Sequence, residues 1–94
     1  MVIGICTLEL DIPMAASLKD KRQVIRSLTA RLRNEFNVAV AEVGRQDSWQ
    51  TAVIGVVTVS GDVDYVHGLL TRAVQWVENS RLDCDVVDYQ IELV

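Results

Sequence analysis

The stretch Val38–Ser60, VAVAEVGRQDSWQTAVIGVVTVS, holds two β-branched runs on either side of one polar turn. Val, Ile and Thr pack well on a pleated, half-buried surface, so Val38–Val43 and Gln50–Ser60 are expected to be strands. Gly44-Arg45-Gln46-Asp47-Ser48 between them is made of turn formers, and the two runs therefore close a hairpin. The second run is apolar at both parities, Ala52, Ile54 and Val56 against Val53, Val57 and Val59, as a central strand requires.

On each side of this hairpin lies a helix and then a strand. Upstream, Leu18, Ile25, Leu28, Leu32 and Phe36 recur at three- and four-residue steps and make one core stripe. Ser17-Leu18-Lys19-Asp20 reads as a weak capping box at the start of this helix, and Asn37 marks its stop. Before it, Val2–Ile12 alternates with a period of two, its apolar set being Val2, Cys6, Leu8, Leu10 and Ile12, and Pro13 ends it. Downstream, Ser60-Gly61-Asp62 breaks the chain and supplies an N-cap. A second helix then runs to about Asn79 on the stripe Val63, Val66, Leu70, Ala73, Val74 and Val77. Cys84–Leu93 closes the chain as a strand with Val87, Tyr89, Ile91 and Leu93 facing inward.

The resulting order is βαβ, hairpin, βαβ. Right-handed crossovers leave space for one strand between each parallel pair. The expectation is an α+β ferredoxin-like βαββαβ sandwich. Its antiparallel sheet has the order 4-1-3-2, with both helices on one face. Ninety-four residues fit one domain over residues 1–94, since domains commonly hold roughly 100–150. The uncovered sheet face would display Ile3, Ile5, Ala39, Ala41 and one apolar set of the third strand. Such a patch marks an interface, and a homo-oligomer is expected.

Net charge is −4, but its distribution is uneven. Residues 19–33 hold six of the nine basic side chains and a single acid, whereas the rest of the chain carries three bases and twelve acids. At 100° per residue Lys19, Arg22, Arg26 and Arg33 fall within about a 60° arc of the first helix. Guanidinium groups at such spacing can follow phosphates, which makes this arc, with Lys21 beside it, the leading candidate for a binding surface. The alternative is a solvated helix face. Trp49 at the end of the hairpin turn is the second candidate, as a base-stacking platform or a protein-contact anchor. Its competing role is to pack across the end of the sheet.

The run Ser17-Leu18-Lys19-Asp20-Lys21-Arg22, then Leu32–Val43 with its LRNEFNVAVAEV, resembles the YlxP family of small bacterial domains. Gln46-Asp47-Ser48-Trp49-Gln50 and the ending Asp88-Tyr89-Gln90-Ile91-Glu92 extend the resemblance over essentially the whole chain. It implies a ferredoxin-like fold and no activity, because the family is of unknown function. Its members are often encoded beside translation and ribosome-maturation factors, which implies RNA or ribosomal partners.

Catalytic machinery is not legible. His67 is the only histidine and has no Glu-x-x-His or cysteine neighbour, so no metal is expected. Cys6 lies in an apolar strand and Cys84 between two aspartates, both unfavourable to a thiolate. Their predicted positions are too far apart for a disulfide. A Gly-rich phosphate loop is missing and no cofactor is expected. Reduced thiols and the lack of any membrane-spanning run point to a cytoplasmic protein. The expected function is non-catalytic binding of RNA or a ribosome-linked partner through the first helix. A dimeric small-molecule-sensing module is the alternative.

Overall fold

A computed structural model describes residues 1–94. The elements run β1 (Val2–Asp11), α1 (Leu18–Glu35), β2 (Ala39–Gly44), β3 (Thr51–Ser60), α2 (Val63–Glu78) and β4 (Asp85–Leu93). The sheet order is β2-β3-β1-β4 with every neighbour antiparallel, the same order as 4-1-3-2 read from the other edge. β1 and β3 pair without interruption from Val2↔Ser60 to Asp11↔Thr51 and form the centre of the sheet.

One face of the sheet carries the core. Cys6, Leu8, Leu10 and Ile12 meet Ala52, Ile54 and Val56, and above them lie Ile25, Leu28 and Leu32 of α1 and Val66, Leu69, Leu70, Ala73, Val74 and Val77 of α2. The period-two and period-3.6 patterns place nearly all of these correctly. Val63 is a correction: it is exposed at the first position of α2, ahead of the turn that touches the sheet, and Leu69 takes the inner place instead. Phe36 and Trp76 join the far ends of the two helices, edge to face at 6.5 Å between ring centroids.

Local signals begin both helices. Ser17 Oγ accepts from the Asp20 amide at 3.1 Å, and Asp20 Oδ2 reaches back to the Ala16 amide at 3.0 Å, so the box closes one residue earlier than its usual form. Asp62 Oδ1 accepts from the amides of Asp64 and Tyr65. Their donors would otherwise be unpaired at the helix start.

β4 departs from a single alternation. The pairing runs Leu8↔Tyr89 and Glu9↔Asp88, then jumps to Leu10↔Val86. Val87 is thus the extra residue of a bulge and is exposed, while Val86 takes the inward place. Tyr89 and Leu93 have the inward phase but are 44% and 40% exposed, because β4 is an edge strand, so of that set only Ile91 packs against the core as the alternation implied.

Candidate functional site

Lys19, Arg22, Arg26 and Arg33 are all exposed on α1, along one flank of the buried stripe of Ile25, Leu28 and Leu32. None is in an ion pair; the only ion pair in the structure joins Lys21 to Glu42. Arg33 is partly committed, its Nη2 donating to the Val40 carbonyl at 2.6 Å. That bond ties the last turn of α1 to β2 and leaves the other guanidinium donors free.

Lys21 does not belong to this surface. It is 1% exposed, and its Nζ lies 2.9 Å from Glu42 Oε2 and 2.7 Å from the Arg45 carbonyl. Glu42 Oε2 has no well-aligned hydrogen bond, and the Lys21 ammonium is what compensates it in the interior. The expected role of Lys21 in binding is therefore corrected: it pins α1 to the β2–β3 hairpin from within. The signal was present in the spacing. Lys21 stands four residues before Ile25 and seven before Leu28, on the core stripe.

The hairpin is held from two directions. Lys21 bonds its first residue after β2, and Gln50 Nε2 donates to the carbonyls of Pro13 and Ala15 in the loop before α1. Trp49, one residue before Gln50, is 54% exposed. These bonds hold the turn that carries it against the loop that leads into α1. Arg45 shares the same turn with φ 57, a left-handed conformation rarely taken by a side chain of this size. Sequence reasoning assigned Arg45 only to a turn; its strained backbone carries no signature in composition.

The remaining reactive side chains are quiet. Cys6 and Cys84 are free and buried. Burial pushes the Cys6 thiol up to about 11, and burial together with Asp85 and Asp83 pushes Cys84 up as well. His67 is exposed on α2. No group of three or more His, Cys, Asp or Glu residues is arranged to hold a metal ion. No helix is long and apolar enough to cross a membrane.

The family model described as a protein of unknown function, DUF503, matches residues 3–91. The chain belongs to the DUF503 family. The uncharacterized protein YlxP of Bacillus subtilis (strain 168) is 35% identical to this DUF503 chain over 78 residues, covering 83% of it and 85% of YlxP. The de novo designed protein Foldit4 superimposes with a TM-score of 0.53 at 11% identity, covering 100% of the DUF503 chain and 97% of the design, a likeness of fold alone. The DUF503 domain thus combines a widely shared layer architecture with a cationic helix face and an exposed tryptophan that the architecture does not require.

Proposed function

We propose that this protein is a non-catalytic binding module. Its partner is RNA, free or within a ribosomal particle, contacted by the cationic flank of α1. The observation that carries this reading is that Lys19, Arg22, Arg26 and Arg33 share one exposed helix arc without an acidic partner on any of them. Like charges at i,i+4, as in Arg22 and Arg26, cost a few tenths of a kcal/mol, which an approaching polyanion relieves. Phosphate contacts release condensed counterions and supply most of the affinity. Trp49, in the β2–β3 turn next to Gln50, which bonds the loop before α1, adds a flat aromatic surface on which an unpaired base can stack.

The overall charge of −4 keeps binding confined to this face. Single-stranded RNA meeting all four cations gives a slope of log K against log salt of about −2.8, and about −2.1 when Arg33 stays with Val40. Lys19→Glu, Arg22→Glu and Arg26→Glu combined leave the Arg33 bond and the core untouched. The triple variant is expected to lose co-sedimentation with ribosomes and binding to RNA oligonucleotides while keeping its circular dichroism. Equal binding by the folded triple variant, or a slope near zero, would reject the proposal.

A further inference from the structure

We infer that the open face of the sheet docks a cationic amphipathic helix of a protein partner, lying along the strands. The face is divided lengthwise. Its β2–β3 side is apolar. Val43 leans over Gly55, which has no side chain of its own, and β1 adds Ile5 opposite Val57 and Ile3 opposite Val59. Val43 and Val59 are more than half exposed. The β4 side is acidic. Glu92 stands opposite Ile5, Asp88 opposite Glu9, and Asp85 opposite Asp11. These five carboxylates are exposed and none is in an ion pair. Arg45 borders the hollow beside Glu9 and Asp11 without pairing with either.

Charge and size select the occupant. The carboxylates repel RNA phosphates, and no three of them are arranged to hold a metal ion. A second copy would bring five more carboxylates to the same face. Strands of ten residues at ~3.3 Å, four abreast at ~4.8 Å, present about 600 Å² in projection. That is below the ~800 Å² each globular partner gives a standard interface. Its width, about 19 Å, seats one helix, whose diameter with side chains is ~10–12 Å. The acids extend from the Ile5–Glu92 pair to the Asp11–Asp85 pair, six steps along β1 and about 20 Å. That distance is the rise of about 13 helical residues, or nearly four turns. One Lys or Arg per turn on one flank therefore matches the acidic strip, while an adjoining apolar stripe rests on the valines and isoleucines. The α1 helix of another copy cannot serve, because its apolar stripe is already buried in its own core.

This surface is separate from the cationic flank of α1, so the two readings fail independently. The probe is a synthetic peptide of about 18 residues, with leucines at three- and four-residue steps and lysines along one flank. Its control has the same composition in scrambled order. Fluorescence anisotropy should give micromolar binding of the patterned peptide, at least tenfold tighter than the control and several-fold weaker in high salt. Amide shifts in NMR spectra should centre on Ile5, Val57 and Glu92 and leave Arg22 and Arg26 unmoved. Glu9→Gln, Asp88→Asn and Glu92→Gln combined should weaken binding about tenfold. Val57→Ser with Val59→Ser should weaken it several-fold, circular dichroism verifying that each chain is folded. The triple Glu variant of α1 should bind the peptide at least as tightly as the native chain. Equal binding of the scrambled peptide, no binding at millimolar concentration, indifference to the sheet substitutions, or shifts centred elsewhere on the native chain would overturn the inference. Concentration-dependent shifts of the same amides without peptide would make a second copy the occupant and overturn it as well.

Discussion

Removing the Glu42 carboxylate should destabilise the protein far more than an ordinary surface substitution. Glu42→Ala leaves the Lys21 ammonium buried against one carbonyl, and losing half of a buried pair costs about 3 kcal/mol. A paired Lys21→Met and Glu42→Leu replacement should recover most of that loss, since well-packed apolar groups often match a buried ion pair. Urea midpoints of the three chains decide it. Cys6 sets a second test. Its ordinary thiol value is 9.0, and burial raises it to about 11. The unfolded chain therefore loses this proton first. The thiol's contribution is intact below pH 9.0 and is withdrawn as pH climbs toward about 11. Cys6→Ala should be less stable at neutral pH but should show a flatter decline over that window. Lys21 itself marks what single-residue reasoning misses: its charge suggested solvent, whereas its place in the helical repeat fixed it inside.

Gly4 decides how closely α2 approaches β1. A Cβ there would overlap Val66 Cγ1 and come within 2.7 Å of Leu70 Cδ1. Val66 is stiff at χ1, so Gly4→Ala must push the helix outward, at a cost of about 1–3 kcal/mol measured by thermal or urea unfolding. Across β1 and β4, Glu9 and Asp88 stand directly opposite each other as like charges. Asp88→Lys should turn this into an attractive cross-strand pair and add about 0.5 kcal/mol of stability, an effect that shrinks in salt. Strands and helices were readable because period two and period 3.6 differ clearly in Val2–Ile12 and Ile25–Leu32. The phase of β4 held from Tyr89 to Leu93, though of these only Ile91 packs against the core. It failed at Val87, where an inserted residue shifts the phase without any change in composition. The approach of α2 was equally hidden, since a glycine within a strand does not say which helix lies over it.

At the scale of the molecule, two clusters of like charge stand apart: Lys19, Arg22, Arg26 and Arg33 along one flank of α1, and Glu9, Asp11, Asp85, Asp88 and Glu92 on the open side of the sheet. The cationic half of that arrangement was legible, because a helix wheel needs only spacing. The acidic half was not, because it depends on which strands become neighbours and in what register. The unequal standing of the four strands has a further consequence. β1 has a partner on both sides along most of its length and β3 over Val53–Val57, whereas β2 is short and β4 is interrupted by its bulge. Amide protons of Cys6, Leu8, Ile54 and Val56 can meet deuterium only when the entire fold opens. Those of the outer strands are released by local fraying, hours or days sooner.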